Sequence, residues 1–147
     1  MLKKNESLLV TYSDAIKQTM IEEAQNDKSI IFFAQGLTDP TGVFGTFKDI
    51  EKFVEKDRLI EIPVSENGSV GIAIGSAISG MKPIVTFHRV EFALLAMEQI
   101  INNAAKTSFL SAGKENVPIV IRLIIGRGWG QGPNHSQSLE VFFAHIP

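Results

Sequence analysis

Short, wholly apolar runs separated by stretches of helical periodicity constrain this chain more than any other feature. Ser29–Ala34 reads SIIFFA and Pro118–Ile125 reads PIVIRLII. Neither has a polar face, so each reads as a strand buried on both sides rather than one with a wet side. Leu59–Val64 and Pro83–Phe87 are two further strand candidates. Strands that alternate with helical segments predict an α/β fold, a three-layer sandwich with a mostly parallel sheet covered by helices on both faces. In such a sheet the ligand loops lie at the carboxyl ends of the strands. Three of those ends carry chemistry: Ser65-Glu66, His88–Phe92 and Gly126–His135.

The helical segments are read from apolar spacing. Residues 11–27 place Ile16, Met20, Ile21 and Ala24 on one side, with Thr11 or Ser13 as the cap. Phe47–Lys56 reads as a short helix with Ile50, Phe53 and Val54 inward. Asn67–Ser79 is a helix of small residues, with Gly68, Gly71 and Gly75 near one face. Each of those glycines costs roughly 1 kcal/mol against alanine, so this helix needs support from packing. Glu91–Ser111 is expected to be the longest helix and a central one, because Leu94, Leu95, Met97, Ile100 and Ile101 make it apolar on more than one side. A last helix is expected from about Ser136 to Ala144.

Composition narrows the class. The chain has 147 residues, 44% of them hydrophobic and 20% charged, which suits one globular domain spanning 1–147. A net charge of −2 offers no basic field for nucleic acid or an anionic membrane. No apolar run approaches the ~18 residues needed to cross a bilayer, and the start does not read as a secretory signal. With no cysteine, a disulfide framework, a thiolate metal site and a cysteine nucleophile are excluded. A soluble, cytoplasmic protein is the expectation.

Glu66 follows a strand directly and opens the glycine-rich helix. A carboxylate there is either a cap favoured by the helix dipole or a buried acid that exchanges a proton with a bound heterocycle. His135, at a loop-to-helix junction, is either a cap or solvated residue, or an acid near neutral pH. His88 and His145 are weaker candidates. Phe92 is either core or a stacking platform for a flat ring. The loop Gly126–Gly132 fits no phosphate fingerprint, since Gln131 stands where a dinucleotide pattern needs glycine. It reads as a mobile loop or as a flap over a site.

These positions occur in an order that resembles the beta subunits of thiamine-diphosphate-dependent pyruvate, branched-chain 2-oxo acid and acetoin dehydrogenases, within the transketolase superfamily. The matching stretches are Gly42–Thr46, Ile62–Gly68, Phe92–Ile100, Asn103–Lys106 and His135–Glu140 running into Phe143–Pro147. The resemblance implies a thiamine-diphosphate pyrimidine-binding fold. It implies that Glu66 hydrogen-bonds a ring nitrogen of the cofactor's aminopyrimidine and so promotes the tautomer that deprotonates the thiazolium. It places Phe92 against the pyrimidine, Ser65 beside it, and His135 among the catalytic residues, assisting acyl transfer to a lipoyl group. No Gly-Asp-Gly occurs, so the diphosphate and its Mg2+ are expected on an alpha-type partner subunit, with no metal site on this chain. Self-association into a dimer or heterotetramer and contact with a lipoyl acyltransferase are also implied. Relatives continue past His145-Ile146-Pro147 into a second α/β domain, which is expected to be absent here. At Leu37-Thr38-Asp39-Pro40 the better-known members have Gly-Glu-Asp-Val, and this leaves the 2-oxo acid open.

The competing readings are a non-catalytic assembly or binding domain that keeps the fold, and a dinucleotide-binding domain. The second lacks a glycine fingerprint after its first strand.

Overall fold

A computed structural model of the chain describes residues 9–126 and 130–147. Four parallel strands form one sheet in the order β2-β1-β3-β4: β1 is Ile30–Ala34, β2 Leu59–Glu61, β3 Lys82–Phe87 and β4 Val120–Leu123. Every residue of β1 is buried, as its unbroken apolar run predicts. The chain steps from β1 outward to β2, then crosses back over β1 to β3 through helix α2, Glu66–Ile78. Strand order therefore reverses at β1, and the carboxyl ends of β1 and β3 flank the point of reversal.

The alternation of side chains along β1 divides the core in two. Ile31 and Phe33 join Val85 and Phe87 of β3 on one face, packed by Val70, Ala73 and Ile74 of α2 and by Ala93, Ala96 and Ile100. Ile30, Phe32 and Ala34 face the other way, onto Met20 and Ala24 of helix α1 (Tyr12–Asn26) and onto Phe47, Ile50 and Val54. Layers on both faces give the sandwich expected from the sequence. Thr11 is the cap of α1, its Oγ1 accepting from the Asp14 amide at 3.1 Å.

Arg122, the odd cation of the PIVIRLII run, is accommodated by neutral partners. Its Nη2 donates to Thr46 Oγ1 at 3.1 Å, and its guanidinium lies 5.5 Å from the centroid of the Phe47 ring. Burial pushes its pKa below the ordinary arginine value.

Three expected helices differ from the sequence reading. Phe47–Lys56 is not α-helical: it consists of turns and two short 3-10 stretches, Ile50–Lys52 and Lys56–Arg58. Asp49, at φ 63°, interrupts the winding. Ile50 and Val54 are buried there, but Phe53 is half exposed. The expected helix Glu91–Ser111 changes its winding along its length. It is 3-10 over Val90–Ala96, π over Gln99–Ala104 and α over helix α3, Ala105–Leu110, with Met97 and Glu98 also α between the first two. Leu94 and Leu95 consequently turn outward. The last segment holds a 3-10 turn at Pro133–His135 and helix α4 at Glu140–Ala144, so Ser136–Leu139 is not helical. There Ser136 Oγ donates back to Gly132 O at 3.0 Å, a local bond that competes with helix formation.

Candidate functional site

Because all four strands run parallel, the residues that follow them share one edge of the sheet. Gln35 and Gly36 follow β1, Glu66 follows β2 after a short link, His88–Phe92 follow β3, and His135 lies beyond β4. Backbone bonds tie these ends together. Ile62 N donates to Ala34 O at 3.1 Å, and Val90 N donates to Ile124 O at 3.1 Å, extending the pairing past the strands proper.

Glu66 is the first residue of α2 and is only 3% exposed. It is not the cap. That position belongs to Ser65, whose side chain makes no capping bond and which is exposed. The amide of Gln35 donates from Nε2 to Glu66 Oε1 at 3.4 Å and to the Pro63 carbonyl at 3.1 Å. The first of these is long for a hydrogen bond, so a neutral amide holds the acid loosely. A Cβ at Gly68 would lie 3.0 Å from Ser65 Oγ, so the glycine leaves room for that hydroxyl beside Glu66.

His135 meets a second group of residues. Its Nδ1 hydrogen-bonds Glu91 Oε1, and its ring centroid is 5.5 Å from that of Phe92 with the planes tilted by 41°. Phe92 is part-buried and packs against the core on the α2 face. It keeps part of its surface free, as a stacking residue needs. The structure thus places Ser65, Glu66, Phe92 and His135 along one sheet edge and brings Phe92 and His135 together.

His88, a weaker sequence candidate, sits at the reversal point. The Phe44 ring packs against it edge-on at 6.1 Å between centroids, and Arg89 lies 5.1 Å from the centroid of the same Phe44 ring. Arg89 is buried and also donates to Gln131 Oε1. His145 is exposed at the other end of α4 and joins no cluster among the described residues. The expected flap, Gly126–Gly132, lies partly outside the described residues, since Arg127–Trp129 are among those not described.

Sequence reasoning missed three residues here. Gln35 is the first residue after β1, which was the available signal for it. Glu91 was visible as the neighbour of Phe92, but nothing in its spacing showed that it meets a histidine 44 positions away. Glu61 accepts the amides of Gly36, Leu37 and Thr38 at 2.6, 2.8 and 3.3 Å. It thereby fixes the loop after β1 beside the Glu66 end of β2.

The glycine face of α2 serves two purposes. A Cβ at Gly71 would lie 3.5 Å from Gln99 Oε1 of the π turn, so that glycine packs within the subunit. Gly68 and Gly75 are exposed, as is Ile72 between them.

Residues 9–147 match the family model described as the pyrimidine binding domain of transketolase. The chain is 36% identical over 141 residues to the mitochondrial pyruvate dehydrogenase E1 component subunit beta of Homo sapiens, an alignment covering 96% of this chain and 39% of that protein. It is 36% identical over 138 residues to the corresponding protein of Caenorhabditis elegans, covering 94% of this chain and 39% of the relative. Against the pyruvate dehydrogenase E1 component subunit beta of Gracilaria tenuistipitata var. liui it is 39% identical over 134 residues, covering 91% and 42%. The chain therefore spans about two fifths of the length of the curated relatives it matches. A buried acid at the start of a glycine-rich helix, on the carboxyl edge of an all-parallel sheet and matched by this family over residues 9–147, leaves one conclusion: the chain belongs to the transketolase pyrimidine-binding domain family.

Proposed function

We propose that this chain supplies the aminopyrimidine half of a thiamine-diphosphate site in a 2-oxo acid dehydrogenase or transketolase-like enzyme, completed by an alpha-type subunit. The observation that carries the proposal is Glu66: a carboxylate 3% exposed, loosely held by a neutral amide, at the carboxyl edge of the sheet. A structural carboxylate removed from water is normally paired or multiply hydrogen-bonded. One held, among the described residues, by a single long bond keeps hydrogen-bonding capacity for a ligand.

The residues fit half of the cofactor. Glu66 would face a ring nitrogen of the pyrimidine and hold or move a proton there. Phe92 would stack on the ring, and Ser65 Oγ, exposed at the rim, would add a polar contact. His135 would donate or accept a proton at the reacting end. When bound, thiamine diphosphate supplies the carbanion-stabilising chemistry that decarboxylation requires. No Gly-Asp-Gly occurs in the sequence, so in this proposal the diphosphate and its Mg2+ belong to the partner. The outward face of α2, with Ile72 between Gly68 and Gly75, supports a close-packed partner, because its small residues allow near approach of another backbone. Acyl transfer to a lipoyl carrier, and assembly as a dimer or heterotetramer, belong to the same proposal.

The test is turnover of a 2-oxo acid by the chain co-purified with its alpha-type partner. Glu66→Gln is expected to lower kcat by roughly 10²–10⁴-fold, the usual worth of a positioned acid–base group. Normal turnover by the mutant complex would remove Glu66 from the catalytic machinery. No turnover by the wild-type complex with cofactor and Mg2+ would favour a non-catalytic assembly domain.

A further inference from the structure

Glu91 and His135 approach from different strand ends and meet where the histidine also touches Phe92. The Glu91 side chain is 10% exposed and that of His135 is 39% exposed. Glu91 Oε1 takes the histidine, while Glu91 Oε2 is buried with no hydrogen-bond partner. Among the described residues, His135 is thus the sole hydrogen-bond partner of this carboxylate. Leaving a buried acceptor open is unfavourable, and an apolar residue at position 91 would avoid that cost. The carboxylate is placed for the imidazole rather than for the core.

A carboxylate accepts only, so Nδ1 must carry the proton in this pair. The neutral imidazole then has its lone pair on Nε2, and the charged form has its second N–H there. Either way the exchangeable position is Nε2, on the opposite side of the ring from Glu91. Phe92, the next residue along the chain, meets the ring itself. Consecutive residues of one 3-10 stretch, Glu91 and Phe92, therefore hold the imidazole at an edge and through its ring. Val90 N, bonded to Ile124 O at 3.1 Å, anchors that stretch to the end of β4, from which His135 follows.

We propose that Glu91 is a positioning residue: it fixes the tautomer and orientation of His135, so that Nε2 is the atom presented to substrate. The proposal rests on the reading of His135 as a residue that faces the reacting group. It adds a residue that acts only through the histidine.

The test separates the two claims. Nitrogen-15 NMR of the full 147-residue chain, with His135 assigned by the loss of its signals in His135→Gln, reports the tautomer without cofactor or partner. At a pH where the ring is neutral, the Nδ1–H form is expected to dominate in wild type. It should give way to the Nε2–H form or a mixture in Glu91→Met and Glu91→Leu, which remove the carboxylate acceptor. An unchanged Nδ1–H form in both variants would overturn the proposal. Amide dispersion and melting temperature establish folding, and Glu91→Met, close in size, decides if Glu91→Leu does not fold. In the complex with an alpha-type partner, Glu91→Met is expected to lower kcat at least about tenfold, with little change in KM or in thiamine-diphosphate affinity. Loss of the tautomer with kcat unchanged would also overturn it. An inactive wild-type complex would instead count against the functional reading, while the NMR result would still decide whether Glu91 sets the tautomer.

Discussion

At Glu66 a carboxylate is kept out of water with, among the described residues, one long hydrogen bond from an amide. Such placement opposes stability, because ionised groups lose solvation on burial without full compensation. Glu66→Gln should therefore leave the melting temperature unchanged or raise it even as turnover falls, a pattern typical of residues retained for function. Calorimetry of the two proteins checks this; a clear fall in Tm would mean that Glu66 is structural. Other carboxylates do stabilise. Lys28 and Arg58, with a backbone amide, hold the Glu55 carboxyl down to about 2, from an ordinary value of 4.5. A depressed folded-state pKa contributes stability above the unfolded value, and that contribution is lost as pH falls through the folded one. Glu55→Gln should thus be less stable than wild type at pH 7, with the difference shrinking between about 4.5 and about 2. Denaturant titrations across that range measure it, and a constant difference would contradict the assignment. That Ser65, Glu66, Phe92 and His135 share one sheet edge was legible in the sequence, because each belongs to a short stretch beyond a strand. Gln35, Glu61 and Glu91 were not, because their roles are set by contacts 23 to 44 positions away.

Among the elements, the turn after β1 shows what backbone geometry requires. Gly42 has φ +51°, and a Cβ there would lie 2.4 Å from the Lys48 amide nitrogen, which is backbone and has no side-chain freedom to move aside. Val43 and Phe44 follow at φ 42° and 55°, conformations that non-glycine residues hold only when their surroundings enforce them. Val43 is buried on the α1 side of the sheet, and Phe44 packs on His88 and Arg89. Gly42→Ala should cost at least about 2 kcal/mol, the range for enforced backbone strain plus a clash, read from urea unfolding. A loss below about 0.5 kcal/mol, the size of an ordinary surface substitution, would show that the turn adapts. Deep in the sheet, Phe33→Ala should cost about 3–5 kcal/mol through lost burial and a cavity. Strands were read well because continuous apolar runs have few other uses. Windings were read less well, because apolar spacing near 3.6 looks much the same whether the backbone forms α, 3-10 or π turns. In 47–56 the spacing correctly buried Ile50 and Val54, while the left-handed Asp49 broke the helix that it implied. Between Val90 and Ala104 the tighter and then wider winding turned Leu94 and Leu95 outward. At Ser136–Ser138, serine hydroxyls bonded locally, to Gly132 O and Glu140 Oε2, instead of continuing a helix.

For the whole molecule, the parallel sheet gathers the candidate residues on one edge, and two apolar layers cover that sheet from both sides. The alternation of strands and helices made this architecture legible. The central claim is that the gathered edge is half a cofactor site, with the phosphate-binding half on another polypeptide. Isothermal titration with thiamine diphosphate, with and without Mg2+, tests it on the chain alone and on the chain co-purified with its alpha-type partner. The account predicts Mg2+-dependent binding by the complex, weakened by Glu66→Gln, and no measurable binding by the chain alone. Full-affinity, Mg2+-dependent binding by the chain alone would contradict it.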